Sequence, residues 1–555
     1  MRQRDGRSCV GGYSEHRPIY YRAITTLLKI GVSAFGFLLS ALVYLYDLDR
    51  SPVYLGLDEA HFAVHAQAIA ETGRNLNGDF LPLFVSLADP LGDQPQLAWG
   101  ESWYHPLLFY LIALALKVLP LSEASVRVPS ALIAGTLNVA LMYAIAMRLF
   151  RTHWIAIGAA TMLALTPAHL VLGRQIDYLS PLPFQLASLW CLLAFRDTER
   201  IGFAFAGGLI LGIGCYSYVS SWMLMPALFA FSWLIYRRSR IGARRPLAAA
   251  ATGFAMPLLM LAPWLWSHPQ MLDNLLASQS MSVVDTFGRG LPMAQVLQRT
   301  LTTYWSYFNP AFLFLTGGPS LSTATGQAGV FLLPVVVLLP VGLAMMFRAP
   351  QLGGMQWVLL LGLLVSPIPA TLKGMPHVVQ RTTTLLPFAV LIATCGAWAL
   401  WHSSSRLARA LLVLLLVALP IQFAFFYADY LTGYRLRSAS AYDRTAFVET
   451  ARVLLDVESA GGVPAIYLTA PLYDVSAKWR FYATKAHRAD VLHRTRYFNG
   501  DLTAIGDAPS GSLVVVEPDN PRIDPAVSTG GWSIERRVTD LTGRPTLTVL
   551  RKKGG

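Results

Sequence analysis

The stretch Ser51–Glu71, SPVYLGLDEAHFAVHAQAIAE, places two adjacent carboxylates, Asp58 and Glu59, just beyond a long apolar run. That run, residues 23–46, is long enough to cross a lipid bilayer as a helix. Ionisable side chains are costly beside lipid and tend to mark functional sites. The simpler interpretation is that the pair caps a helix beginning near Ala60, where the helix dipole favours negative charge.

The composition indicates a polytopic membrane protein. Of the 555 residues, 54% are hydrophobic and only 14% are charged, against about 25% charged in soluble domains. The net charge of +13 is explained by arginines on cytoplasmic loops beside anionic lipid, so we expect no nucleic-acid partner. The 4 cysteines have no C-x-x-C spacing and predict neither a metal site nor a disulfide framework.

Charge placement predicts the topology. Residues 1–22 form a basic tail that the positive-inside rule places in the cytoplasm, with no cleavable signal peptide evident. The acid-rich loop 47–104 then lies outside, and residues 105–121 form a short helix flat on the membrane. With that helix not crossing, the arginine-rich loops all fall inside. The eleven predicted spans lie near 23–46, 126–147, 154–172, 181–195, 202–217, 219–236, 247–266, 327–347, 356–372, 382–401 and 407–427.

The last part of the chain differs from the rest. Residues 435–555 are polar, with short apolar runs, turn signals and a predicted helix at 442–457. Strands alternating with helices predict a small α/β domain. By the span count this domain is extracytoplasmic, and the membrane domain covers 23–430 with a first outer loop at 47–125.

Several segments carry a family resemblance. Besides the Asp58-Glu59 stretch, they are YHPLLFY (104–110), ASVRVPS (124–130), GRQID (173–177) and YWSYFNPAFLFLTGG (304–318). Together they resemble glycosyltransferases of GT-C fold that use lipid-phosphate sugars, namely protein O-mannosyltransferases and lipid A aminoarabinose transferases. The likeness covers about residues 20–400 and is most specific near the N-terminus. It implies a mainly α, polytopic GT-C fold.

The resemblance implies that Asp58 is the catalytic carboxylate, with Glu59 as its neighbour and Asp177 as a second acid of the site. The chemistry is consistent with this. A polyprenyl phosphate leaves as a stable anion, so it needs little acid catalysis. The attacking acceptor hydroxyl loses a proton, which a positioned carboxylate accepts.

A basic group must hold the donor phosphate. Arg174, Lys373 and Arg381 are the candidates on the outer face, since guanidinium groups can grip two oxygens at once. Snorkelling to lipid headgroups is the alternative explanation. His105 stands where some family members carry lysine, and it could still hydrogen-bond a phosphate, with a charge that depends on pH. Tyr104 is a candidate for stacking on a sugar.

A metal requirement stays open. His61 and His65 lie four residues apart on one helical face near Asp58, a spacing that can hold a divalent metal, but no third ligand is evident. The sequence therefore assigns no metal ligands and leaves the cofactor unknown.

The predicted function is transfer of a sugar from an undecaprenyl- or dolichyl-phosphate donor to an acceptor hydroxyl outside the plasma (inner) membrane. The acceptor is a protein, lipid or glycan. One alternative is a lipid or glycolipid transporter or flippase, which the long outer loops and the lack of two matching broken spans disfavour. Another is a ligase of a different polytopic fold that uses an outer-loop His or Arg.

Overall fold

The computed structural model describes residues 19–87, 103–176, 178–274, 292–470, 472 and 475–554. Side chains are described for these residues except 19–30 and Leu57. Long apolar helices dominate up to residue 431, and a strand-containing region follows. The fold is therefore mainly helical with a small C-terminal α/β part, as the sequence predicted.

The helical part begins with one long helix and a segment that contains a two-stranded antiparallel pair. Its strands are β1 (Val85–Ser86) and β2 (Trp103–Tyr104). The helices up to residue 267 are α1 (Ile19–Leu45), α2 (Leu57–Thr72), α3 (Leu107–Leu116), α4 (Glu123–Leu132), α5 (Val139–Phe150), α6 (His153–Ala164), α7 (Pro167–Gly173), α8 (Leu182–Thr198), α9 (Ile201–Gly214), α10 (Ser221–Tyr236), α11 (Arg244–Leu258) and α12 (Leu261–Ser267).

A second group of helices runs from residue 293 to the start of the C-terminal region. It comprises α13 (Met293–Ser306), α14 (Val335–Met345), α15 (Met355–Val365), α16 (Ile368–Leu372), α17 (Leu385–Trp401), α18 (Arg406–Leu431) and α19 (Gly433–Tyr442). Two π-helical segments occur, Ile133–Asn138 between α4 and α5 and Phe312–Thr316 after α13.

Helices lie at each of the eleven predicted span positions, but they differ in length. Within the described residues, four are long and apolar enough to cross a membrane by themselves: 123–150, 244–267, 355–372 and 406–431. The pair α6 and α7 passes the same test together and is bent by 58° at its break. Pro167 explains the break, because its ring cannot continue the preceding helix. The chain is a multi-pass membrane protein, and the number of spans stays a prediction.

Glycines let two helix pairs approach closely. In the pair α9 and α11, a Cβ on Gly208 would overlap the backbone of Ala250, and one on Gly253 would overlap that of Phe205. Gly342 of α14 and Gly396 of α17 make the same close approach to each other's helices. Small residues permit such packing where lipid provides no hydrophobic drive between helices.

The C-terminal region is built around one five-stranded sheet with the strand order β4-β3-β5-β7-β6. Strand β3 pairs in parallel with β4 and β5, whereas β7 pairs antiparallel with β5 and β6. Its elements are α20 (Phe447–Ser459), β3 (Ile466–Thr469), α21 (Val475–Lys485), β4 (Thr495–Phe498), β5 (Leu513–Val516), α22 (Ile523–Ser528), β6 (Trp532–Thr539) and β7 (Pro545–Lys552).

This α/β region does not stand apart from the membrane part. A single apolar cluster joins α2 and α3 to α20, α21 and the sheet, with Phe62, Phe109, Trp479 and Phe481 among its buried rings. Helix α2 packs against α21. The C-terminal region therefore fixes the helix that carries Asp58 and Glu59.

Candidate functional site

The turn between α1 and α2 is held from inside by a buried arginine, Arg127 of α4. Its Nη1 donates to the carbonyl oxygens of Leu48 (2.9 Å) and Pro52 (2.7 Å), and Nη2 donates to that of Tyr54 (2.8 Å). Nε and Nη2 also donate to the two carboxylate oxygens of Glu59, at 2.9 and 2.8 Å. All five N–H groups of Arg127 thus have partners.

Arg174, just after α7, fixes the same turn from its other side. It is fully buried. Its N–H groups donate to the backbone oxygens of Val43, Tyr44, Asp47 and Ser51 at 2.9–3.3 Å. Because Val43 and Tyr44 lie in the last turn of α1, the guanidinium also faces the negative end of that helix. The sequence made Arg174 a candidate phosphate ligand. In the structure its N–H groups bond backbone carbonyl oxygens instead.

Asp58 and Glu59 share the first turn of α2 but have different surroundings. Glu59 is buried in the pair with Arg127, and its Oε2 also accepts from the backbone N–H of Gly56 at 2.7 Å. Asp58 is partly exposed, and its Oδ1 accepts from the hydroxyl of Tyr104 at 3.1 Å. Asp58 is therefore presented to an accessible face while Glu59 fixes the helix.

The remaining sequence candidates in this loop lie in different places. Asp177 lies outside the described residues. His105 is buried between the rings of Phe84 (5.4 Å between centroids) and Trp222 (5.9 Å), and burial lowers its pKa to about 3. A neutral imidazole in an aromatic cluster is poorly suited to hold a phosphate as a cation.

The two histidines with metal-binding spacing are buried on α2. Both His61 and His65 are buried, and the ring of His65 lies 6.3 Å from that of Phe109 in the apolar cluster. Among the residues that the structure describes, no group of three His, Cys, Asp or Glu side chains converges. The described residues thus assign no metal ligands, and the metal requirement stays open.

Lys373 and Arg381 flank a second turn, between α16 and α17. Both are partly exposed. The turn between them is anchored by the fully buried Tyr307, whose hydroxyl donates to the carbonyl of Met375 (2.6 Å) and accepts from the N–H of Val378 (3.2 Å). Burial raises the pKa of Tyr307 to about 12, against the opposing charge of Arg381. The turn is therefore held in a fixed position, and it carries two partly exposed cationic side chains, Lys373 and Arg381.

An apolar groove runs along the C-terminal half of α1. It has a volume of about 270 Å³ and is lined by residues 32–44 of α1, by parts of α5 and α6, and by Phe423. Gly36 widens it, since no atom lies within 4 Å of where its Cβ would be. The groove ends at Tyr44, whose carbonyl accepts from Arg174.

Two residues that hold these turns in place escaped sequence reasoning. Arg127 lies within ASVRVPS, a segment noted only for its family likeness, and Tyr307 lies in YWSYFNP. A helix-embedded arginine four residues after an acid, Glu123, resembles a surface ion pair in sequence. Its actual partner, Glu59, is distant along the chain and gives no local signal.

Comparisons with known proteins agree with this architecture. The family model for dolichyl-phosphate-mannose-protein mannosyltransferase matches residues 101–266. No curated protein sequence matches the chain. The crystal structure of ArnT from Cupriavidus metallidurans bound to undecaprenyl phosphate shares 14% identity over 94% of this chain and 98% of that chain, with a TM-score of 0.54.

A second solved structure is the archaeal oligosaccharyltransferase AglB from Archaeoglobus fulgidus, in complex with an inhibitory peptide and a dolichol-phosphate. It shares 13% identity over 87% of this chain and 69% of that chain, with a TM-score of 0.47. The likeness to ArnT shows that this chain has a GT-C fold, which confirms the resemblance and the fold class expected from the sequence.

Proposed function

We propose that the chain is a glycosyltransferase that moves a sugar from a polyprenyl-phosphate carrier to an acceptor hydroxyl on the outer face of the plasma membrane. The observation that carries this proposal is the position of Asp58 in a GT-C fold. The residue is partly exposed on the first turn of α2. The ion pair between Glu59 and Arg127 holds that turn in place.

In this proposal Asp58 acts as the general base. The acceptor oxygen attacks the anomeric carbon, its proton passes to the Asp58 carboxylate, and the bond from that carbon to the phosphate oxygen breaks. The polyprenyl phosphate leaves with the electron pair of the broken bond. Base catalysis of this kind contributes about 10²–10⁴ in rate. Tyr104, whose hydroxyl bonds Asp58, orients the carboxylate.

The donor phosphate is assigned to Lys373 and Arg381. They remain the accessible cations among the sequence candidates, since Arg174 is committed to backbone and His105 is buried and neutral. Arg381 can bind two phosphate oxygens at once and Lys373 acts as a point charge. Asp177 stays a candidate second acid on the strength of the sequence resemblance alone.

The apolar groove along α1 suits the donor's hydrocarbon tail. Its lining spans residues 32–44, a helix length of about 18 Å at 1.5 Å per residue. The ArnT structure with the same fold was solved with undecaprenyl phosphate. A polyprenyl chain in this groove would place its head group near the outer end of α1, where the Asp58 turn begins.

The decisive test is Asp58→Asn, expressed in a strain that lacks the endogenous gene. Envelope glycolipids and glycoproteins are compared by mass spectrometry with those of the wild type. We expect transfer to fall by about 10²–10⁴-fold, with protein level and membrane insertion unchanged. The matched control is Glu71→Gln, an exposed carboxylate at the other end of α2. Full transfer by Asp58→Asn would remove Asp58 from the mechanism.

The proposed orientation has a separate test. With the N-terminus in the cytoplasm and eleven spans, the C-terminal region lies outside. A reporter that is active only outside the cytoplasm, fused after Arg437, should be active. A signal confined to a cytoplasmic reporter at the same site would overturn the combination of a cytoplasmic N-terminus with eleven spans, since the two together fix the side on which residue 437 emerges.

A further inference from the structure

Helix α13 (Met293–Ser306) has a continuous exposed apolar stripe. Met293, Leu297, Leu301 and Trp305 are 63%, 56%, 47% and 60% exposed. They are four residues apart, so each step rotates by only about 40° around the helix. Such a stripe on a folded protein marks a surface that contacts something other than water.

The other two faces of α13 are distinct. Exposed polar side chains occupy the second face, and these are Gln295, Gln298, Arg299 and Thr302. The third face packs on the protein through buried Val296, and the buried Tyr307 follows in the same direction just past the end of the helix. Tyr304 lies at the edge of the apolar stripe, and its hydroxyl reaches back to the protein by donating to the carbonyl of Leu364 at 2.8 Å. The helix is thus divided into protein-facing, polar and apolar exposed sectors.

Lipid is the occupant that fits the apolar stripe. Helix α13 packs against α16, which ends the candidate span 355–372, so it lies at a membrane edge. An apolar face bearing tryptophan beside a polar face bearing arginine is typical of helices at the headgroup boundary. The rings of Trp305 and Phe308, 5.7 Å apart, extend this boundary surface beyond the helix.

The end of α13 is tied to the turn that carries Lys373 and Arg381. Tyr307 bonds both Met375 and Val378 of that turn. The Nε2 of His377 donates to the carbonyl of Ser306 at 3.1 Å, and the His377 ring stacks on Phe312 at 4.7 Å. A shift of α13 would therefore move the turn with it.

We propose that α13 lies in the lipid headgroup layer and that this seating sets the position of the turn 373–381. The second half of the proposal rests on the proposed function, because it treats Lys373 and Arg381 as phosphate ligands. The first half stands on the faces of α13 and on its packing against α16, and needs no assignment of a substrate.

The seating is tested by nitroxide labels on full-length protein in phosphatidylethanolamine and phosphatidylglycerol vesicles, with the native cysteines replaced. Labels at positions 297 and 301 should be accessible to oxygen and shielded from a water-soluble nickel chelate. Labels at the matched positions 298 and 302 should show the reverse. Nickel access at 297 and 301, or spin coupling between copies there, would place water or a second protein on the stripe and overturn the proposal.

The coupling is tested by binding of undecaprenyl phosphate to the protein in nanodiscs. Leu297→Gln with Leu301→Gln should raise Kd by about tenfold, whereas Gln298→Ala with Thr302→Ala should leave it within about twofold. Equal binding by both double variants would overturn the coupling alone. A wild-type protein that does not bind the probe would overturn the coupling and the assigned donor together, while the labelling result would still decide the seating.

Discussion

Cations near the ends of the apolar helices occur in two contrasting settings. Behind the turn between α1 and α2, Arg127 and Arg174 are buried and each directs its five N–H groups to the protein. In the turn between α16 and α17, Lys373 and Arg381 stay partly exposed. The first pair fixes the segment that carries Asp58, and the second is placed where a ligand can reach it. Position at the membrane edge therefore does not by itself assign a cation to a substrate.

The strongest test of this contrast is Arg127→Met. It leaves the Glu59 carboxylate buried without its partner and leaves the carbonyls of Leu48 and Pro52 without a donor. Breaking one side of a buried ion pair costs about 3–5 kcal/mol. We expect a marked loss of folded protein in detergent. Scanning fluorimetry and size-exclusion chromatography measure this loss.

A double variant separates the cost of burying the unpaired Glu59 charge from the loss of the hydrogen bonds by which Arg127 holds the turn. With Glu59→Met added, the unpaired charge is removed, so part of the lost stability should return. The backbone carbonyls still lack their donor, so activity should stay low. Unchanged stability in Arg127→Met would contradict the structural role assigned to this arginine.

Much of the fold was predictable because apolar runs carry their own signal. The apolar helices at the predicted span positions, the start of α2 near Asp58 and the strands β3 and β5 follow from local pattern, whereas α13 lies in a stretch for which the sequence predicted no helix. The burial of Arg174 does not, since an arginine after an apolar run looks the same whether it meets headgroups or backbone carbonyls. Its setting depends on residues 43–51, which only the tertiary fold brings near.

His105 illustrates the same limit within the candidate site. Its place before Pro106 suggested a phosphate contact, but the rings around it come from Phe84 and Trp222, which lie in separate parts of the chain. The charge of a histidine depends on that environment, which local sequence does not specify. By contrast, the different exposures of Asp58 and Glu59 follow from their adjacent positions on one helix, which face different directions.

Arg381→Gln tests the other side of the contrast. Because Arg381 is partly exposed, its loss should cost little stability. Losing a charged contact to the phosphate should weaken undecaprenyl phosphate binding by about 10–100-fold, the effect of 1.4–2.8 kcal/mol. Binding to purified protein and its melting temperature are measured together. Arg444→Gln, at an exposed arginine of the C-terminal region, serves as the control. A variant that loses stability but keeps binding would place Arg381 with the structural arginines.

Lys478 of α21 is a further buried cation to compare with Arg127. Its carboxylate partner, Asp443, also accepts hydrogen bonds from other groups. The Nζ of Lys478 bonds the Oδ1 of buried Asp443 at 2.9 Å. Asp443 also accepts from the N–H groups of Thr445 and Phe447. Lys478→Met therefore leaves the carboxylate partly satisfied, and we expect a loss of about 1–2 kcal/mol, less than for Arg127→Met. Arg452→Met, which breaks a surface pair with Glu449, should be nearly silent.

The pH dependence distinguishes this role from simple packing. Burial of Asp443 opposes ionisation, but Lys478 and the surrounding donors outweigh it and hold the pKa of the carboxyl below its usual value. A carboxyl whose pKa is lowered in the folded state stabilises the fold above about pH 4, the pKa of an unfolded aspartate, and loses that contribution as pH falls through the folded pKa. Melting temperatures between about pH 5 and 3 should therefore fall less in Lys478→Met than in the wild type, because the acid-sensitive contribution has already shrunk. Parallel pH profiles would mean that Lys478 contributes through its methylene packing, and the ion pair would then add nothing to stability.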